Sequence, residues 1–196
     1  MQKNTWDDHY ARRAREENWL ARSVYKLQEI DRRFRIIRKG DRILDLGCYP
    51  GSWSQYALRT TAPQGHVAGI DLKKPERLSA LKFQFIQADI FSIDIQTLQQ
   101  NLGPRDVVLS DLAPQTTGAP ATDTSRSLAL SEQAFKIAEA VLVRSGRFVC
   151  KLFEGGEIKG FQASVAGRFE RVRLFRPQAT RKRSREVYLI GMGFTC

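Results

Sequence analysis

The sequence predicts an α/β protein, a mainly parallel sheet with helices on both faces. Two observations point there. Short apolar runs recur along the middle of the chain with helical stretches between them, the alternation expected of βαβ units. The first run also passes directly into a glycine-rich turn that opens a helix. Sheets of this kind hold their ligands at such carboxyl ends of strands.

The elements follow in order. Within a basic N-terminal arm, residues 23–30 place Val24, Leu27 and Ile30 on one helical face and turn Lys26 away from it. By itself Lys26 would pass for a solvated helix charge. Arg42–Leu46 reads as the first strand, 47–51 as the turn and 52–58 as a helix. His66–Asp71 and 83–89 are the next strands, then a helix over 93–101 and a strand over 106–111. A longer helix over 123–143 carries Leu128, Ala134, Phe135, Ile137, Ala138, Val141 and Leu142 at helical spacing. Strands over 147–153, 171–175 and 186–192 follow, the last two close enough to pair. With no repeat and no Pro/Gly/Ser linker, one domain over 1–196 is expected, with 1–38 as a basic helical arm packed on the core.

Composition narrows the class. Of the 196 residues, 42% are hydrophobic and 27% charged, which suits a folded soluble chain rather than a disordered one. No apolar run approaches the roughly 20 residues of a membrane-spanning helix. Asp7, Asp8, Glu16 and Glu17 interrupt the early arginines and argue against a transit peptide, so a cytoplasmic protein is expected. Cys48, Cys150 and Cys196 have no metal-ligand spacing, and no metal is expected. The net charge of +11 favours a polyanionic partner, because neutralised phosphates release condensed counterions. A merely solubilising surface is the plain alternative. The charge is clustered, however. Arg12, Arg13, Arg15 and Arg22 precede the core, Arg32, Arg33, Arg35, Arg38 and Lys39 follow, and Arg181, Lys182, Arg183 and Arg185 lie near the end. Folding could bring these clusters onto one face.

The turn discriminates between ligands. Gly47 and Gly51 are spaced G-x-x-x-G, unlike the G-x-G-x-x-G of dinucleotide binders. Pro50 removes an N–H where a pyrophosphate cradle would need donors. A ligand with adenosine but no phosphate fits better. Asp71, at a strand end, can accept from both hydroxyls of an adenosine ribose, and Asp89 from the adenine amino group. Alone, either aspartate could simply cap a helix. Together with the turn they suggest S-adenosylmethionine.

Five blocks then make the chain recognisable: residues 22–27, 45–55, 110–114, 151–155 and 183–188. In this order they resemble the FtsJ/RrmJ-type RNA ribose 2′-O-methyltransferases over nearly the whole length. The resemblance implies a Rossmann-like S-adenosylmethionine-dependent methyltransferase fold, a mostly parallel seven-stranded sheet whose last hairpin contributes one antiparallel strand. It also implies a catalytic tetrad of Lys26, Asp111, Lys151 and Glu186, and cofactor contacts at Gly51, Trp53, Asp71, Asp89 and Asp111. The substrate implied is large-subunit ribosomal RNA, a uridine of the peptidyl-transferase loop, within a large ribosomal subunit or its precursor. A monomer is expected. The chain departs from the family at Cys48 and Tyr49, where two small residues are usual, and at Gln115, where asparagine is common. Tyr49 could pack over the cofactor or lie against the protein.

The chemistry calls for the same residue types. Methyl transfer from a sulfonium needs a ribose oxygen aligned with the S–CH3 bond, and alignment can supply about 7–11 kcal/mol. The hydroxyl also needs a base, and Lys151 is the expected proton acceptor; a cationic Lys151 stabilising the alkoxide is the alternative. Lys26 would orient the ribose or its phosphate, Asp111 would fix the lysines and face the cofactor, and Glu186 would position the ribose. Arg12, Arg13, Arg15, Arg22, Arg181, Arg183 and Arg185 are expected to bind RNA, since guanidinium forks grip phosphate. Trp19 is expected to pack on the core. Two other functions share these features: methylation of a transfer-RNA anticodon loop, and a ribosome-assembly factor for which catalysis is dispensable.

Overall fold

A computed structural model describes residues 5–155 and 158–195, leaving Cys196 and the side chain of Trp6 outside the described residues. The sheet has seven strands: β1 (Arg42–Leu46), β2 (His66–Asp71), β3 (Phe83–Gln87), β4 (Arg105–Ser110), β5 (Leu142–Phe153), β6 (Phe169–Phe175) and β7 (Glu186–Phe194). Their spatial order is β3-β2-β1-β4-β5-β7-β6, with β7 antiparallel to both of its neighbours. All other pairings are parallel. This is the architecture the sequence predicts, including the single antiparallel strand.

Alternation along the strands explains the layers, because successive side chains leave opposite faces. Ile43, Val67, Val107, Leu109, Val149, Tyr188 and Ile190 project to one side. There they meet Leu27 and Ile30 of α2 (Val24–Phe34) and Trp53 and Ala57 of α3 (Ser52–Thr61). Leu44, Leu46, Ala68, Ile70, Val108, Phe148 and Leu189 project to the other. They meet α4 (Ile95–Leu102), α5 (Pro120–Val141) and α6 (Ile158–Ala166). Strands buried on both faces read as continuous apolar runs, as β1 and β4 do.

The arm is more helical than residues 23–30 alone suggest, since α1 (Thr5–Glu16) precedes α2. Ala14 of α1 packs with Val24 and Tyr25 of α2 in a small third cluster. Trp19 packs against Tyr56, with ring centroids 6.1 Å apart, under the guanidinium of Arg59.

Element ends differ from expectation for local reasons. α3 continues to Thr61, with the hydroxyls of Thr60 and Thr61 bonding back to the carbonyls of Tyr56 and Ala57 in its last turn. β3 stops at Gln87, and Asp89 instead accepts from the Phe91 N–H in a turn. α6 was not anticipated: its buried face has only Phe161 and Val165, a pattern too short to stand out beside Gly155 and Gly160.

Candidate active site

The chain reverses its order of strand addition between β1 and β4, so their carboxyl ends flank a crevice. Asp111 follows β4 there, its N–H donating to the carbonyl of Leu46 at 3.2 Å. Lys151 on the adjacent β5 donates to the Asp111 carbonyl at 2.6 Å and lies 3.1 Å from Asp111 Oδ1. The antiparallel register sets Tyr188 opposite Lys151, and Glu186, two residues earlier, therefore projects from the same face. Tyr188 donates its hydroxyl to Asp111 Oδ1 at 2.7 Å. From α2, held down by Leu27 and Ile30, Lys26 reaches across to form an ion pair with Glu186. The structure thus gathers Lys26, Asp111, Lys151 and Glu186 into one network of two linked pairs.

The start of α2 is fixed to the start of α3. Ser23 Oγ lies 2.9 Å from Ser52 Oγ, and the Trp53 indole N–H donates to the Ser23 carbonyl at 2.9 Å.

Electrostatics keep Asp111 charged. Burial pushes the Asp111 carboxyl up, but the ammonium groups of Lys151 and Lys26 and the Tyr188 hydroxyl outweigh it and hold the group below the usual carboxylate range. Burial, then the carboxylates of Asp111 and Glu186, push the Tyr188 phenol well above its ordinary value, so it remains a donor. Tyr188 was not assigned a role from sequence. Its spacing of two from Glu186 on one strand was the available signal, and it is also a fully buried tyrosine that needs an acceptor.

Beside the network lies a cavity of about 320 Å³, lined by Gly47, Tyr49, Asp71, Asp89, Asp111 and Leu112 among others. Gly47 has φ +77°, and a Cβ there would come within 2.8 Å of Leu112. Asp71 accepts from the Tyr49 and Lys73 N–H groups, each at 2.9 Å, and still has lone pairs for a ligand. Asp71, Asp89 and Asp111 are its charged lining residues, and no lysine or arginine is among them. Such a wall repels phosphate and suits adenosine joined to a sulfonium and an ammonium, so the residues fit S-adenosylmethionine. Tyr49 is 52% exposed and stands at the rim, where its ring can cover a ligand.

Gly51 and Trp53 do not line this cavity. Gly51, at φ +113°, makes room for Leu20, whose Cδ1 would lie 2.8 Å from an added Cβ. The Trp53 indole is only 3% exposed and packs on Tyr188, with centroids 5.8 Å apart. What Trp53 can offer a ligand is its N–H in the first turn of α3, where helical N–H groups lack intrahelical acceptors. Gln115 is exposed, with its carbonyl facing Arg126 Nη1 at 3.4 Å.

On the far side of the network a second cleft of about 470 Å³ is lined by Arg22, Ser23, Lys26, Arg181, Arg183 and Glu186. Of the N-terminal arginines only Arg22 shares this cleft with Arg181 and Arg183; Arg12, Arg13 and Arg15 do not line it. Arg22 braces the cleft by donating to the Ala179 carbonyl, while Arg185 donates to Pro120 and does not line it. Arg12 and Arg13 form i,i+4 ion pairs with Glu16 and Glu17 along α1, and Arg15 is exposed beside them. Among the described residues no His, Cys, Asp or Glu cluster is arranged to hold a metal ion, and no helix is long and apolar enough to cross a membrane.

A doubly wound sheet with one antiparallel strand and an acidic, phosphate-free nucleoside cavity defines the class of S-adenosylmethionine-dependent methyltransferases. The comparisons give the family. The FtsJ-like methyltransferase family matches residues 19–194, and the chain belongs to it. A ribosomal RNA large subunit methyltransferase E from Desulforapulum autotrophicum is 46% identical over 97% of this chain and 94% of its own length. The protein of that name from Bdellovibrio bacteriovorus is 42% identical over 94% of this chain and 95% of its own. A crystal structure from Plasmodium falciparum described as a ribosomal RNA methyltransferase superposes with a TM-score of 0.78 at 30% identity, covering 90% of this chain and 98% of that one. Like its family, the chain is a methyltransferase that uses S-adenosylmethionine.

One buried acid near this cavity gives a stability test. Asp45, at the end of β1, is fully buried; Ser54 donates to its Oδ2 at 2.6 Å, and Oδ1 has no partner among the described residues. Burial, reinforced by the nearby carboxylates of Asp111 and Asp71, pushes its carboxyl from 3.8 up to about 7. The folded state therefore binds this proton more tightly than the unfolded state, so stability falls as pH rises from about 4 to about 7 and levels off above. The loss has a ceiling of about 4 kcal/mol, from roughly three units at about 1.4 kcal/mol each. Asp45→Asn should lose this component. Urea unfolding of both proteins at pH 5 and pH 7.5 checks it, and an identical pH dependence would disprove the assignment.

Proposed function

We propose that the chain transfers a methyl group from S-adenosylmethionine to a ribose 2′-hydroxyl of ribosomal RNA, a uridine of the large subunit or its precursor. It acts as a monomer and as one methyltransferase domain spanning 1–196, with 1–38 as its basic arm. The carrying observation is that an acidic nucleoside cavity and a basic cleft lie on opposite sides of one Lys-Asp-Lys-Glu network. The relatives' names supply the ribosomal RNA.

When bound, the cofactor supplies an electrophilic methyl group on a positively charged sulfur. Asp71 would hold the adenosine ribose hydroxyls, Asp89 would receive the adenine amino group, and the α3 turn around Gly51 and Trp53 would offer backbone. Asp111 faces the cofactor and anchors Lys151. Arg183 and its neighbours grip RNA phosphates while Lys26 and Glu186 orient the target ribose. Lys151 would accept the 2′-hydroxyl proton released when that oxygen takes the methyl group. A second reading has support too: both acceptors on Lys151 Nζ come from Asp111, which favours an ammonium that stabilises the alkoxide instead. Lys151→Arg separates these: an always-protonated guanidinium cannot accept the proton but keeps a cationic role.

The test of the substrate is a map of 2′-O-methyl positions across total RNA from cells with and without the protein. The expected result is one uridine position lost from large-subunit ribosomal RNA. Loss confined to transfer RNA, or no loss at all, would overturn the proposal.

A further inference from the structure

Three hollows follow one another along α2. The first is the cleft already described, reached by Arg22, Ser23 and Lys26. The second, also about 470 Å³, has Gln28, Arg32 and Arg33 on its helix side and Phe175 and Gln178 opposite. The third, about 160 Å³, lies past the end of α2, where Arg35 and Arg38 face Arg171 of β6. Helix and edge strand run antiparallel, from the catalytic end of the sheet to the opposite end, and wall the second and third hollows as one trough; the segment at Gln178 and Ala179, bonded to Arg22 and Glu29, separates the second from the first. Phe34 and Phe175 close the trough's floor, with ring centroids 5.4 Å apart. From Arg22 to Arg35, at about 1.5 Å per residue, the row of three hollows runs about 20 Å.

The charge along it is one-sided. Arg32, Arg33, Arg35, Arg38 and Arg171 are exposed. Among the carboxylates, Glu186 is paired with Lys26, and Glu29 accepts the N–H groups of Gln178 and Ala179 at 2.6 and 2.9 Å. Glu170 alone of the lining acids lies in the third hollow. Arg147 lies there too, buried, with Nη2 on Asp41 and with Nε and Nη1 unpartnered. In the second hollow the Arg33 guanidinium stands 5.5 Å from the Phe175 ring, a pairing of cation and aromatic face on which bases stack.

We propose that this trough is an RNA track that holds the single strand flanking the target nucleotide, continuing the cleft along α2 to the back of the sheet. The proposal rests on the RNA reading above. About 20 Å accommodates at most about six phosphates even at the roughly 3.4 Å per-strand axial spacing of a duplex, which an extended single strand exceeds, so its occupant is a short flanking segment.

The test compares the wild-type protein with the Arg32→Gln/Arg33→Gln/Arg171→Gln variant. None of the three lines the cofactor cavity or the catalytic cleft. The probes are fluorescent oligouridylates of about 4 and about 16 nucleotides, since phosphate contacts are read without sequence. On the longer RNA the variant should bind about tenfold more weakly, and the slope of log K against log salt should flatten by about 2, at about 0.7 per lost contact. On the shorter RNA, which the cleft alone can hold, both proteins should bind alike. S-adenosylmethionine affinity, measured by calorimetry, should be unchanged and reports an intact fold. Unchanged affinity and slope on the longer RNA would overturn the track, as would equal losses on both RNAs. If the triple variant does not fold, Arg38→Gln/Arg171→Gln is measured in the same way, with about two-thirds of the slope change expected. Binding is read without turnover, so a failure to methylate ribose would sink the proposed reaction and leave this result standing.

Discussion

Lys151→Ala should lower the single-turnover rate of methyl transfer by about 10²–10⁴-fold while S-adenosylmethionine affinity stays within a few-fold. The asymmetry follows from where Lys151 stands. Its Nζ touches Asp111 and lines neither the adjacent cavity nor the basic cleft, and the reaction proposed above sets the ribose oxygen beside it. Lys26 still faces Asp111 in the variant and helps keep that carboxylate charged. Lys151→Arg refines the outcome: a guanidinium stays protonated, so it restores nothing if a proton must be taken and restores part of the rate if only charge is needed. Rapid-quench measurement with enzyme in excess over RNA decides, and a near-normal rate for Lys151→Ala would remove Lys151 from the reaction.

The second large effect belongs to the cofactor. Asp71→Ala should weaken S-adenosylmethionine binding by about 2–3 kcal/mol, roughly 30- to 150-fold, as for a charge-assisted hydrogen-bond pair. Part of that loss comes through the turn, because Asp71 also holds the Tyr49 and Lys73 N–H groups. Asp71→Asn, which keeps one acceptor oxygen, should fall between wild type and Ala. Calorimetry showing the same affinity for all three, with the fold intact, would place the ribose elsewhere.

Much of the fold could be read in the sequence because strands buried on both faces leave uninterrupted apolar runs; Arg42–Leu46 and His66–Asp71 match residue for residue. What escaped were elements whose signal is small or tertiary. α6 shows only two buried apolar residues, and the start of β5 at Leu142 was hidden behind a helical pattern that ran past Val141. For the site, sequence motifs put Lys26 and Glu186 in one tetrad but not as a direct pair, since register between distant strands and helices is not a local property. The motif around Trp53 suggested a ligand contact, whereas the indole serves the joint between α2 and α3. Tyr188 lay within a recognised block, yet its role depends on Asp111 being within reach.

That joint has a thermodynamic consequence. The Ser23 and Ser52 hydroxyls, together with the Trp53 indole on the Ser23 carbonyl, make the helix start that presents Lys26 and the helix start that closes the cofactor turn a single mechanical part. Whatever factor by which S-adenosylmethionine changes the affinity for RNA, RNA must change the affinity for S-adenosylmethionine by the same factor. The leaving cofactor product has no sulfonium charge, and any factor by which it differs from S-adenosylmethionine in its effect on RNA is returned by RNA in the same measure.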